Sequence, residues 1–204
     1  KNKIRYFLAK FLLPQADKIR VVSDRIKNYL ISNLGITEVK IHIKPIFIYT
    51  EKIKNTPVTI DLHKKYPQFN KIILMASRLT REKNIGLAIK TMSEIVKIQP
   101  QTGLIVVGSG PEARRLSLKA ISYKLEASIV FESWIDQETL YSYYKTVDLF
   151  LNTSWYEGYG MTLVEAHAAG CPIVSTDVGV AREVGAKIIK PNYLGALDGI
   201  IKSL

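Results

Sequence analysis

The sequence predicts an α/β fold, a parallel β-sheet with helices on both faces, and three observations carry that expectation. From Lys71 onward, short apolar runs alternate with segments of helical period, the pattern of successive βαβ units. The runs KIILMAS, GLIVVGS, ASIVFES, VDLFLNT, PIVST and AKIIK are rich in Ile, Val, Leu or Phe, as strands covered on both sides require. With 204 residues and 47% hydrophobic content, the chain suits one full α/β domain plus part of another.

Before Lys71 the pattern is a helix, the strand KIRVVS, a helix from Asp24 to Leu34, the strand VKIHIKPIFI and a polar stretch around Glu51 to Pro57. This reads as the end of a preceding domain and a hinge, with an expected division into residues 1–48 and 49–204. The chain starts without Met and in mid-pattern, so a piece of a longer protein is expected. After KIILMAS, Asn84 is expected to cap a helix whose Ile85, Ala88, Ile89, Met92, Ile95 and Val96 form one buried face, ending before Pro100. A later helix is expected from Gly160 to Ala169, closed by a left-handed Gly170 and by Pro172, which cannot continue it.

The net charge of +11 and sequence pI near 9.6 favour phosphate-bearing partners: nucleotides, nucleic acids or anionic lipids. No nucleic-acid motif accompanies the charge, so nucleic acid is not an expected partner. The single cysteine, Cys171, rules out an intrachain disulfide and suits a reducing, cytoplasmic location. No apolar run approaches the roughly 20 residues that span a bilayer. Residues 1–13 (KNKIRYFLAKFLL) have the makings of a basic amphipathic helix, so peripheral contact with an anionic membrane at its inner face is an expectation.

The most distinctive stretch is EGYGMTLVEAHAAGCP. Glu157 precedes a Gly-Tyr-Gly turn that opens the helix carrying Glu165. Glycines admit a ligand close to the backbone, and free N–H groups at a helix start form an anion site, with phosphate its natural occupant. The carboxylates would then accept hydrogen bonds from sugar and ribose hydroxyls. As a glycosidase pair they would be about 12 Å apart if the eight-residue offset were fully helical, where a retaining pair needs roughly 5 Å, though the opening turn leaves that distance open. A second feature, SRLTREKN, follows KIILMAS directly, which sets Arg78 and Lys83 at the carboxyl edge of the sheet, ready for a diphosphate.

GSGPEA, residues 108–113, fits the dinucleotide fingerprint G-x-G-x-x-A, and Glu132 ends the next strand where a ribose-binding acid would stand. That NAD(P)-binding reading leaves SRLTREKN and the paired glutamates unexplained. His42, His63 and His167 lack metal-ligand spacing with one another or with Cys171, so no metal is expected. Asn152-Thr153-Ser154 matches a glycosylation sequon but sits at a strand end and reads as structural.

Together these segments resemble the C-terminal domain of family 4 retaining glycosyltransferases of the GT-B fold. The likeness runs from about Lys71 to Val184, through SRLTREKN, LIVVGSGPE, IVFESW, EGYGMTLVEAHAAGCPIVSTDVG and REV, and the GSGPE turn is itself usual there. The resemblance implies a Rossmann-like donor domain. Arg78 and Lys83 would bind the diphosphate, Glu157 would contact the donor sugar, and these three would carry the catalysis. Gly108, Gly158, Tyr159, Gly160, Met161 and Thr162 would surround sugar and phosphates, Glu165 would hold the ribose, and Ser133 and Trp134 would meet the base. Ser133, Asn152-Thr153-Ser154 and Val180 depart from the family's usual residues.

The early segment ADKIRVVSDRIKNYL resembles the last strand and helix of the family's N-terminal, acceptor-binding domain, and the resemblance implies that the rest of that domain, and the terminal helix that normally crosses back after Val184, are absent from this chain. The implied activity is transfer of a sugar, with retention, from a nucleotide-diphosphate sugar to a glycan or lipid-linked acceptor. The donor is a substrate with UDP or GDP as its expected nucleotide, and no cofactor is implied. A nucleotide-sugar epimerase of the same fold is the alternative beside the NAD(P) reading.

Overall fold

A computed structural model describes residues 3–204; Lys1 and Asn2, the start of the expected basic helix, lie outside the described residues. The chain divides into two compact units, Lys1–Phe47 and Ile48–Leu204.

The first unit holds α1 (Lys3–Leu12), β1 (Ile19–Val21), α2 (Asp24–Leu34) and β2 (Ile41–Ile43). Ser23 caps α2 by accepting the Ile26 N–H, and Gly35, at φ 66°, ends it. The strands pair in parallel, Ile19 opposite Ile41, over a small core that includes Val21, Leu30, Leu34 and Ile36. The long strand expected at VKIHIKPIFI shrinks to three residues. Glu38–Lys40 form a 3-10 turn, β1 offers only a three-residue partner, and after Lys44 N–H reaches Val21 O, Pro45 has no N–H to extend the ladder.

In the second unit the six apolar runs become β3 (Lys71–Ala76), β4 (Thr102–Val107), β5 (Ile129–Glu132), β6 (Leu149–Asn152), β7 (Ile173–Thr176) and β8 (Lys187–Ile189). They form one wholly parallel sheet in the order β5-β4-β3-β6-β7-β8. Alternate residues of each strand enter opposite layers. Ile73, Met75, Leu104, Val106, Leu149 and Leu151 face one core with residues of α5 (Ile85–Ile98), α6 (Ala113–Ser122) and α9 (Tyr193–Ile201). Ile72, Leu74, Ile105, Val107 and Phe150 face the other with residues of α3 (Thr50–Asn55), α4 (Leu62–Lys65), α7 (Gln137–Thr146) and α8 (Met161–Ala168). Burial of each such side chain stabilises the fold by about 1.5–3 kcal/mol before entropy is counted.

Two local expectations change. The polar stretch expected as a hinge contains α3, whose fully buried Ile53 ties it to the second core. Asn84 precedes α5 but sits in the left-handed region at φ 50°, and its side chain makes no capping bond; its carbonyl instead accepts from Leu87 N–H. Beyond Val184 the chain forms α9, capped by Asn192 Oδ1 accepting Gly195 N–H at 2.8 Å, which packs on α5 within the same unit.

Candidate functional site

The sheet order reverses beside β3: the chain runs outward through β4 and β5, then returns to place β6 on the other side of β3. Loops leaving the carboxyl ends of β3 and β6 therefore diverge around a crevice, the usual ligand position in open α/β sheets. These two loops carry SRLTREKN and TSWYEGYG. They are joined where Trp155 N–H donates to Glu82 O at 2.8 Å, and where Thr153 Oγ1 stands 3.1 Å from both Lys83 O and Asn84 O.

Their side chains meet as an ion pair. Lys83 Nζ is 2.6 Å from Glu157 Oε1, with only 15% and 14% of the two side chains exposed. Ser154 Oγ lies 2.7 Å from the same Glu157 oxygen and 2.7 Å from Asn152 Oδ1. A hydroxyl has one proton, and Asn152 Oδ1 already accepts Ser154 N–H, so the charged Glu157 is the acceptor that needs it. The other end of Asn152 donates to Ser175 Oγ. The sequon residues Asn152, Thr153 and Ser154 are buried, and through Ser154 they hold Glu157 in place.

Arg78 behaves differently. Its side chain is 79% exposed and only 3.9 Å from Glu82, a loose surface pair with freedom to swing. It borders a cavity of about 220 Å³ at the ends of β3 and β4, which also meets Gly108, Trp134, Ile135, Leu140 and Thr162. Four of the sequence-selected residues, Arg78, Gly108, Trp134 and Thr162, therefore share one hollow. Ser133 is exposed beside Trp134 and does not line it. Met161 is 44% exposed at the start of α8, which has no side-chain cap. Leu163 N–H and Val164 N–H already donate to Gly160 O, so the N–H groups left to face an anion there are those of Met161 and Thr162.

The glycines around Glu157 separate into two kinds. Gly160 sits at φ +92° with Leu163 Cδ1 2.8 Å from where a Cβ would be, so the fold itself demands it. Gly158 has no positive φ and nothing nearer than Tyr156 Oη at 4.0 Å, so folding leaves that space open. Tyr159 is held through its carbonyl, which accepts Val180 N–H at 2.9 Å. The non-glycine Val180 serves here without strain, since its φ is not positive.

Glu165 lies apart from Glu157. It is 5% exposed, turned to α7, with Tyr144 Oη 3.4 Å from Oε2. Burial raises its pKa above the ordinary carboxylate range and the Tyr144 hydroxyl only partly offsets this. Burial also pushes the Cys171 thiol up to about 12, so this free cysteine is an inert core group. Among the described residues no cluster of three or more His, Cys, Asp or Glu is placed to hold a metal ion.

The dinucleotide fingerprint is accounted for by packing. A Cβ on Gly108 would fall 2.0 Å from Ser77 O, and one on Gly110 2.5 Å from Leu79 O. The GSG turn thus lies against the backbone of the loop carrying Arg78, and Leu79 N–H donates to Ser109 O at 2.8 Å. Glu132, the would-be ribose acid, accepts from Lys65 Nζ, Tyr66 Oη and Tyr143 Oη. Desolvation works against its charge, but the three donors together hold its pKa below the ordinary value. Sequence reasoning missed Ile135 and Leu140 in the cavity, and the hydroxyls of Thr153 and Ser154 that steady the ion pair. Small polar and aliphatic residues acquire such roles only through contacts made on folding.

The family model described as glycosyl transferases group 1 matches residues 61–192. Alpha-monoglucosyldiacylglycerol synthase of Streptococcus pneumoniae is 30% identical over 105 residues, covering 52% of this chain and 24% of that protein. Sucrose-phosphate synthase of Thermosynechococcus elongatus superposes with a TM-score of 0.84 at 24% identity, over 99% of this chain and 52% of the other. Anabaena HepE in complex with UDP and glucose gives 0.79 at 20% identity, over 98% and 56%. The chain thus spans about a quarter of that curated relative and about half of each solved chain. The matched segment takes in both loops, the α8 start and the GSG turn, and the chain belongs to the glycosyl transferases group 1 family.

Proposed function

We propose that residues 49–204 form the donor-binding part of a retaining glycosyltransferase that takes a nucleotide-diphosphate sugar. The observation that supports this best is the Lys83–Glu157 pair, in which Lys83 shares a loop with Arg78 at the hollow and Glu157 shortly precedes the start of α8, a helix with no side-chain cap. In this reading the base lies by Ser133 and Trp134, Glu165 takes the ribose hydroxyls, and the diphosphate meets Arg78, Lys83 and the first N–H groups of α8. Gly108, Gly158, Tyr159, Gly160, Met161 and Thr162 surround the sugar and phosphates. Glu157, released from Lys83 as the phosphates arrive, accepts from sugar hydroxyls.

The reaction is a front-face displacement. The bond from the anomeric carbon to the diphosphate oxygen breaks while an acceptor oxygen bonds to the same carbon, and the acceptor proton passes to the departing phosphate. Charge gathers on the leaving group, where fixed cations and N–H dipoles stabilise it without reorganising. Binding of UDP by the HepE neighbour favours uridine over guanosine as the base.

The acceptor, a glycan or lipid-linked molecule, is held by an N-terminal domain to which residues 1–48 belong. Contact with an anionic membrane would fall to α1, where Phe7 and Phe11 are exposed beside Lys3 and Lys10. A thermal-shift series with UDP, GDP, ADP, their sugars and NAD tests the donor reading, since a ligand of the folded state raises its stability. Stabilisation by one nucleoside diphosphate and its sugar is the expected result; stabilisation by NAD alone would overturn it.

A further inference from the structure

A second cavity, of about 450 Å³, shares no lining residue with the hollow beside Arg78. Its walls carry Arg81, Lys90, Arg115 and Lys119 against one carboxylate, Glu112. That carboxylate is already taken, because Arg115 Nε donates to Glu112 Oε2 at 2.6 Å. Lys90 lies over the Tyr193 ring, 5.0 Å from its centre, which leaves its ammonium with no carboxylate partner among the described residues. Lys119 is half-buried, and burial, followed by repulsion from Arg115 and Lys90, lowers its pKa.

One wall is the first turn of α5, whose Asn84 makes no side-chain cap. A Cβ added at Gly86 would stand 3.0 Å from Lys119 Nζ, so the ammonium rests directly on that turn. A cation against the positive end of a helix, with two further cations nearby, is an unfavourable arrangement that an anion relieves. The helix start and the cations point at the same space, and a tetrahedral oxyanion can take N–H and N⁺–H donors together.

We propose that this cavity binds a phosphate group, separate from the donor hollow and independent of the donor reading. The phosphate is supplied either by a soluble phosphomonoester or by an anionic lipid headgroup. The chain would be titrated with inorganic phosphate and with glycerol 3-phosphate at about 0.15 M ionic strength, following the backbone amide resonances of Gly86 and Leu87. It would also be sedimented with vesicles of phosphatidylglycerol in phosphatidylcholine and with phosphatidylcholine alone.

Saturable shifts at Gly86 and Leu87 are expected, weakened about tenfold or more by Lys119→Gln combined with Lys90→Gln and retained by Lys119→Arg, which keeps the charge. Loss of sedimentation with the anionic vesicles in the double variant identifies a lipid headgroup. Unchanged sedimentation beside weakened phosphate binding identifies a soluble ligand. No shift at Gly86 and Leu87, equal affinity in the double variant, or displacement of phosphate by UDP would overturn the proposal. A parallel UDP titration read at Trp134 and Thr162 reports on the donor hollow by itself, so failure at one site is distinguishable from failure at the other.

Discussion

Lys83 Nζ lies 2.6 Å from Glu157 Oε1, a bond that joins the loop after β3 to the loop after β6 where the sheet order reverses. Each partner neutralises a charge that the fold has largely removed from water. Removing one partner of a buried pair leaves the other uncompensated, which costs more than the pair contributes. Lys83→Ala should therefore lower stability by about 3 kcal/mol, measured by urea denaturation, and Glu157→Gln in the same chain should restore part of the loss. In the complete enzyme Lys83→Ala should reduce turnover by about 100-fold or more, the scale of losing one fixed charge-stabilising group. Unchanged turnover would remove Lys83 from the mechanism.

Gly108 offers a test of why the GSG turn is glycine-rich. Alanine there would press on Ser77 O in a backbone conformation, φ +139°, that side chains avoid. Overpacking and strain together should cost about 2–4 kcal/mol. The displaced Ser77–Leu79 backbone carries Arg78, so nucleoside diphosphate affinity should fall too, read by calorimetry. A stable Gly108→Ala chain that had lost only NAD binding would return the fingerprint to its dinucleotide meaning.

Gly158 and Gly179 make a matched pair with opposite expectations. A Cβ on Gly179 would meet Tyr159 O at 2.1 Å at φ +49°, so Gly179→Ala should destabilise by about 2–4 kcal/mol. Gly158→Ala meets no close neighbour and should leave the melting temperature nearly unchanged. If that open space admits the donor, Gly158→Ala should still weaken nucleotide-sugar binding severalfold. Equal affinity in this variant would show that the ligand approaches elsewhere.

The central strands were the most legible because they are parallel and covered on both faces, which leaves an apolar run such as KIILMA or LIVV, while the edge strands β5 and β8 are less buried. The first unit was harder. Its strands are three residues long, and no periodicity separates Ile41–Ile43 from the apolar residues on either side of Pro45. Donor-site candidates were visible as charges and glycines gathered in the loops after β3 and β6, although packing by itself also requires Gly108 and Gly160, and the fold brings Lys83 to Glu157 across 74 residues. Two things were not readable: the occupancy of Lys83 by Glu157, which depends on long-range loop geometry, and the turning of Glu165 towards Tyr144, which depends on where α7 packs.

Glu132 and Glu165 should give opposite pH signatures. The pKa of Glu132 is held down in the fold by Lys65, Tyr66 and Tyr143 against the cost of desolvation, so its stabilisation is present above the unfolded glutamate pKa and fades as pH falls through the lowered value. Glu165 has its pKa raised by burial; the folded state then holds a proton that the unfolded state releases, and stability is lost as pH rises from the unfolded pKa to the raised one. Urea denaturation at about pH 3.5 and pH 7.5, on either side of the ordinary glutamate pKa, separates the two. Glu132→Gln should be destabilising at the higher pH and less so at the lower. Glu165→Gln should be stabilising at the higher pH, with the gain vanishing at the lower, while affinity for a nucleoside diphosphate drops about tenfold if the carboxylate holds ribose hydroxyls. A variant gaining stability at neutral pH with full affinity would make Glu165 a core residue alone; one gaining stability while losing affinity would show a buried charge kept for its ligand.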